Sequence, residues 1–307
     1  MIEHASGSRA DMLLAGLGLA LASAFATNLG FLFRHRGAVA APDVDVRHPL
    51  RSAIDLFRSK WWTIGYGVAA IAYALHVGAL ALAPLSLVQA VLAGGLVVLG
   101  VLAERWFGFS LGRREWLGVG LAAVGLAFLA LTGGGETGKE SSDYSVAAMI
   151  AWESALVGVG VLLILSGRTQ RSRSHRGVAL GIAAGLLFTV THVAVKAATG
   201  HATGGVLMML MFVFGALLAA VVAFFASARS LQIGEAVAVI AVTSIASNAS
   251  AIPAGVVVFG DPIGDDAVTV VLRSLAFVLV VIAAALIPAP TRTSASPRHA
   301  SEPSAAV

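Results

Sequence analysis

Apolar runs of about twenty residues recur along almost the whole chain, and the connections between them hold nearly all the charge. A bilayer's hydrocarbon core is about 30 Å thick and an α-helix rises about 1.5 Å per residue, so about twenty apolar residues cross it. Nine windows meet that length: 12–33, 62–83, 85–103, 116–133, 146–166, 178–198, 205–227, 231–255 and 267–288. The pattern predicts an all-α polytopic membrane protein with nine transmembrane helices. Pro84 alone separates the second window from the third, which predicts a tight hairpin. The first window follows Glu3 and Asp11 and exceeds the roughly 7–15-residue core of a secretory signal, so it reads as a retained helix. Residues 34–60 are too charged to span and read as an interfacial loop. Residues 289–307, rich in Pro, Ser and Ala, read as a disordered cytoplasmic tail.

The stretch from Arg229 to Asp266 interrupts this apolar rule. On a continuous helix Gln232, Thr243, Ser247 and Ser250 share one face, with Ser244 and Asn248 on its flank. A polar stripe on so apolar a segment is expected to face protein or water, because lipid offers it no partner. Pro253 and Gly255 are expected to kink the outer end and free backbone groups there.

Composition agrees with the pattern. The 307 residues are 58% hydrophobic and 12% charged, about half the charge of a soluble domain. No cysteine is present, which excludes disulfides and thiolate metal sites. The formal net charge of +4 does not indicate nucleic acid, because of where the charges fall. With the N-terminus outside, sixteen of the twenty lysines and arginines lie in the inside connections 34–60, 104–115, 168–177, the Arg229 turn and the tail. Outside loops collect acids: Glu136, Glu140 and Asp143, then Asp261, Asp265 and Asp266. This follows the positive-inside rule and predicts N-out, C-in. The Ala-, Gly- and Arg-rich composition, without organelle signals, suggests a bacterial inner membrane.

An internal repeat is also legible. ALAPLSLVQAV (81–91) recurs as ASARSLQIGEAV (226–237), each copy after a long apolar helix and before a Gly- or Ala-rich one, with 12–33 and 178–198 as opening members. The chain divides into a short external N-terminus (1–11), a first four-helix repeat (12–133), a linking helix with its loops (134–177), a second four-helix repeat (178–288) and the tail (289–307). The odd linker inverts the second copy, and inverted repeats suit two halves that rock around a midplane site. Gly181 and Gly185, and Gly94, Gly95 and Gly100, mark positions where helices can approach closely.

GLGLALASAFATNLGFLFRHRG (16–37), the pair Trp61 and Trp62, the ALAPLSLV hairpin and the ARSL…VFGD block (228–261) resemble, in order and spacing, the NIPA-type magnesium transporters of the drug/metabolite transporter superfamily. The broader EamA-like branch is similar as well. The likeness covers most of residues 12–288 and implies nine helices and alternating access. In that family the second helix carries an acidic residue and an asparagine ahead of the Ala-Pro corner. Tyr73 and His76 stand there in this chain. Mg²⁺ is a hard cation that favours carboxylate oxygen, so this departure bears on the substrate and not on the scaffold.

Candidate pathway residues are the polar groups inside the windows: Asn28, Tyr73, His76, Gln89, Glu153, His192, Lys196, Glu235, Thr243, Ser247 and Asn248. Glu153, about two turns into the linking helix, and Glu235, one turn into the eighth, are costly in lipid unless paired, solvated or protonated, which suits a coupling-ion or proton site. Glu235 can equally sit at the inner interface beside Arg229. His192 and Lys196, four apart, serve a proton relay or an anion-facing site, or else Lys196 snorkels outward while His192 packs. The neutral residues line a cavity or bond neighbouring helices. Arg273 needs a carboxylate, a carbonyl or water, and Asp261 or Asp266 can partner it near the outer face. GDPIGDD (260–266) reads more simply as a turn than as a metal site.

No phosphate-cradling loop, HExxH or aspartate-rich prenyl motif occurs. A membrane enzyme needs a dense polar or metal-binding constellation at the inner face, and a sensor has no use for an inverted repeat. A secondary transporter of a small solute or ion, of drug/metabolite type, is the leading reading, with a NIPA-like magnesium transporter as the alternative. No cofactor is implied, and energy comes from gradients or the membrane potential. Partners are the solute or ion and the lipid bilayer, not nucleic acid; a homodimer stays open.

Overall fold

The computed structural model describes residues 2–45, 47–82, 85–133, 144–169, 172–199, 205–259 and 267–286. All regular structure among them is helical: α1 (Ile2–Ala40), α2 (Pro49–Arg58), α3 (Lys60–Leu82), α4 (Leu85–Phe107), α5 (Arg113–Gly133), α6 (Val146–Thr169), α7 (Arg173–Thr199), α8 (Gly205–Ile233), α9 (Ala236–Phe259) and α10 (Ala267–Leu286). Within the described residues six of these, α1, α3, α6, α7, α8 and α9, carry stretches long and apolar enough to cross a membrane. The Pro84 corner, the acidic loops 134–143 and 260–266, and the tail lie outside the described residues.

Besides the start of α1 at Ile2, ahead of the expected window, the structure departs from the sequence pattern in two places that bear on the polar groups. The expected loop 34–60 is largely helical. The first helix continues through Arg34, His35 and Arg36 to Ala40, and α2 follows. Charge does not break a helix; a missing donor or an unsatisfied group does. Arg34 lies 3.9 Å over the Phe31 ring, Arg36 lies 4.1 Å over Trp61, and no proline intervenes before Pro42. Pro49 then opens α2 at a position where its missing N–H costs nothing. The second departure is the window 231–255, which breaks at Gly234–Glu235. Ser230, Leu231, Gln232 and Ile233 complete α8, and α9 begins at Ala236. Gly234 closes α8 with its N–H on the Ser230 carbonyl at 2.9 Å, and Glu235 precedes α9 with its carbonyl on the Val239 N–H.

Helix packing follows the small residues. In the α1–α3 pair, a Cβ on Gly65 would lie 2.8 Å from the Gly30 carbonyl oxygen, and one on Gly37 would strike the Trp62 backbone. Gly95 of α4 faces Asn28 and Ala24 of α1, and Gly100 faces the Trp116 ring of α5. In the second half Gly181 and Gly185 of α7 meet α9, and Gly177 meets Gly234. Gly94, by contrast, meets nothing within 4 Å. The main core joins α1, α3, α4, α5, α8, α9 and α10 through Leu32, Trp62, Leu99, Val119, Leu231, Ile240 and Val280. α7 and α9 are the most enclosed spans, while α3, α6 and α8 turn large apolar faces outward, such as Met211, Phe214 and Leu217. An outward apolar face this long suits lipid rather than water.

Gly185→Ala sets a methyl against the Thr243 carbonyl and Ala246. It is expected to cost about 1–3 kcal/mol and lower the melting temperature in detergent. Gly158→Ala on α6, where a Cβ meets nothing within 4 Å, is expected not to lower the melting temperature.

Candidate functional site

The polar stripe of α9 faces α7, its spacing having brought the three hydroxyls to one side. Thr243 Oγ1 lies 3.0 Å from the Gly181 carbonyl and 2.8 Å from that of Val239, one proton serving both. Ser250 Oγ is 2.8 Å from Thr189 Oγ1, and Thr189 donates to the Ser247 carbonyl at 3.0 Å. Thr243, Thr189 and Ser250 are buried. These hydroxyls therefore bond one helix to the next, which is the plainer of the two sequence readings. Thr189 was not among the sequence candidates. Its spacing of four from Gly185 and eight from Gly181 puts it on the same face, and that signal could have found it.

Asn248 faces away from the seam. It is exposed, and its amide donates to the Ser244 carbonyl at 2.8 Å. Asn28 is buried where α1 meets α4, and its amide donates to the Ala24 carbonyl at 2.8 Å and the Gly95 carbonyl at 2.9 Å. Tyr73 is exposed on α3, whereas His76, three residues on, is half-buried with an Nδ1 that has no partner among the described residues. Gln89 and Lys196 lie in α4 and α7, and Arg273 in α10, but their side chains are outside the described residues.

The α6–α7 pair holds a different kind of polar group. Leu156 packs with Leu187 and Val190, and Met149 packs with Val193, Ala194 and Ala197, so the helices run antiparallel. Glu153 then falls at the height of His192, which is exposed. Glu153 is half-buried, and its Oε1 is enclosed without a hydrogen-bond partner among the described residues. The adjacent Trp152, which sequence reasoning passed over, likewise has a buried Nε1 without a described partner. A buried carboxylate oxygen and indole N–H left unpaired by protein are groups that water, a proton or a solute can satisfy. Among the described residues no three His, Asp or Glu converge as a metal-binding group.

A third polar assembly lies where α8 ends. Gln232 belongs to α8, not to the α9 stripe, and its amide clamps the chain leaving α1. Its Nε2 donates to the carbonyls of Ala38 at 3.1 Å and Pro42 at 2.9 Å. Its Oε1 accepts from the Val44 N–H at 3.0 Å and from Arg229 at 3.1 Å. Arg229 also pairs with Asp43 at 2.6 Å. That guanidinium hydrogen bond holds the Asp43 carboxyl below the usual aspartate value. Glu235 stands just outside α9 beside this joint, not one turn inside a helix.

A probable magnesium transporter NIPA9 of Arabidopsis thaliana is 24% identical to this chain over 282 residues. That likeness spans 88% of this chain and 80% of the NIPA9 protein. No known family profile matches the chain. No solved structure matches it either. The span of the NIPA9 match means that both halves of the helical body, and not one helix pair, take part in the resemblance.

The joint at Asp43 carries a pH dependence of definite sign. A depressed carboxylate value means the Asp43–Arg229 contact contributes fully above the usual aspartate range and is lost as pH falls through the lowered value. Asp43 is largely exposed, so screening keeps the effect below about 1 kcal/mol. The chain has no cysteine, so a spin label on Val44→Cys reports this loop alone. Its mobility is expected to rise on acidification and with salt, and Asp43→Asn is expected to remove the acid dependence.

Proposed function

We propose that the chain is a multi-pass membrane transporter, and not an enzyme, that moves a small solute or ion by alternating access. The observation that carries this reading is the likeness to NIPA9 along nearly the whole apolar, all-helical body. Supporting it, α1 packs against α3 and α4 as α7 packs against α8 and α9. We take residues 12–133 and 178–288 as inverted four-helix repeats of the drug/metabolite transporter type, joined through the linking helix, with nine crossings and the N-terminus outside. A cell inner membrane is the location we propose.

The pathway we propose is centred on Glu153 of α6 as the group that exchanges a proton or holds a cation, with His192 and Lys196 on the adjoining α7, and with His76 of α3 and Asn248 of α9 as further candidates. Asn28, Tyr73, Gln89, Glu235, Thr243 and Ser247 complete the proposed set, the hydroxyls fixing the helix geometry around it. A drug/metabolite-type solute is the first reading of the cargo. Magnesium is the second, favoured by the name of the relative. Mg²⁺ keeps several waters and binds protein through one or two carboxylates, so Glu153 can serve it without a dense acidic cage.

Flux in proteoliposomes tests both readings. Mg²⁺ and a panel of organic metabolites are offered separately, with and without a pH gradient. Mg²⁺ movement without any organic solute would establish the second reading and remove the first; movement of neither class would overturn transport of these cargoes. Glu153→Gln is expected to flatten the pH profile of flux while leaving the melting temperature unaltered. An unchanged profile removes Glu153 from the coupling step.

A further inference from the structure

α2 is built unlike the other described helices. At 100° per residue, Leu50, Ile54 and Phe57 fall on one narrow stripe, and Leu56 and Ser52 fall on the opposite side. Leu56 and Ser52 are buried against the protein. The stripe is left outside: Leu50 is 80% exposed, Ile54 56% and Phe57 47%. Phe57 also stacks on Phe224 and meets the Tyr66 ring at a tilt, which fixes the helix against α3 and α8. Arg51 and Arg58 project a quarter-turn from the stripe, both largely exposed, with Asp55 between them at 4.0 and 3.5 Å. Arg47 and Lys60 flank the helix, both exposed. Next to it Trp61 stacks on Phe33, with Arg36 over its ring at 4.1 Å and the Lys60 ammonium at 5.6 Å.

An exposed apolar stripe beside guanidinium groups is poorly served by water on one side and by hydrocarbon on the other. At a bilayer surface both are satisfied: the stripe enters the acyl boundary, and the cations reach lipid phosphates. The neighbouring indole suits the same depth. We propose that α2, with Arg47, Arg51, Arg58 and Lys60, is a docking surface for anionic phospholipid in the leaflet at this end of the bundle. The charge sets the choice of lipid, since these four cations outnumber the two carboxylates beside them, Asp55 within the helix and Asp45, whose Oδ1 accepts from the Arg47 N–H. Bound lipid also bears on the joint described above. The N–H of Asp45 donates to Ser52 Oγ of α2 at 2.9 Å, and the same loop is clamped at Val44 by Gln232 and at Asp43 by Arg229. Lipid that seats α2 therefore also steadies the α8–α9 corner.

This inference rests on the chain being a membrane protein, but not on its cargo. The full chain, carrying a single spin label on Ile54→Cys, is reconstituted in phosphatidylcholine with increasing phosphatidylglycerol. The label is expected to be reachable by oxygen and shielded from a water-soluble relaxant, and to become immobilised as phosphatidylglycerol rises. Each of Arg51→Gln and Arg58→Gln is expected to raise the phosphatidylglycerol needed by about fivefold, the value of one basic residue at an anionic surface. Arg→Lys at either site is expected to preserve the response, and an unaltered melting temperature shows that the glutamine variants still fold. A label open to the aqueous relaxant in every bilayer overturns the docking surface. A shielded label indifferent to phosphatidylglycerol overturns the anionic selectivity. Flux failing in every cargo assay while the lipid response persists refutes the transport reading alone.

Discussion

Close approach of backbones through missing side chains is the constraint on which the rest of the molecule depends. In an apolar medium no hydrophobic force draws one apolar helix to another, so association relies on dispersion contacts and on hydrogen bonds between helices. Both need short distances. Gly30 and Gly65 set them for α1 and α3, and Gly181 and Gly185 set them for α7 and α9. Once the α7 glycines admit α9, the hydroxyls of Thr189, Thr243, Ser247 and Ser250 come within reach of carbonyls and of one another. The polar seam is a consequence of the small-residue seam.

Polar residues inside the bundle consequently divide into two kinds. Most of those at the seams are satisfied by neighbouring backbone and hold geometry, as Asn28 does between α1 and α4, although the buried Trp62 indole at the α1–α3 seam has no described partner. Glu153, Trp152 and His76 each retain a buried polar atom that described protein groups leave unpaired. Burial without a partner is unfavourable, and a transporter is one of the few designs in which such a group is useful, since its partner can be a traveller rather than a fixture. The joint formed by Gln232, Arg229 and Asp43 is of the first kind, but it bonds a loop instead of a helix, at the corner where α8 yields to α9.

How much of this could be read along the chain varied with the range of the interaction. Helix positions were legible because length and hydropathy are local. The extension of α1 past Arg34 was not, because the rings that shelter its arginines include Tyr66 and Trp61 of α3. The helix break at Gly234 was hidden by an apolar run that continues on both sides of it. Gln232 was assigned to the wrong helix for that reason, and its true partners, Ala38, Pro42 and Val44, lie some 190 positions away. Thr189 was recoverable from its spacing behind two glycines; the unpaired Trp152 nitrogen gave no sequence signal at all.

The sequence by itself determined that the protein is helical, that its helices suit lipid, and which faces of α7 and α9 carry small and polar groups. Periodicity and hydropathy are properties of a few consecutive residues, and the physics that reads them acts at the same range. Only the tertiary structure decided which polar groups are used for packing and which are left open. That distinction turns on whether a carbonyl from another helix lies within about 3 Å, and no local pattern holds this distance. The same reason separates Thr243, for which lining a cavity and bonding a helix were both open and which bonds Gly181, from Glu153, whose enclosed oxygen finds no described partner.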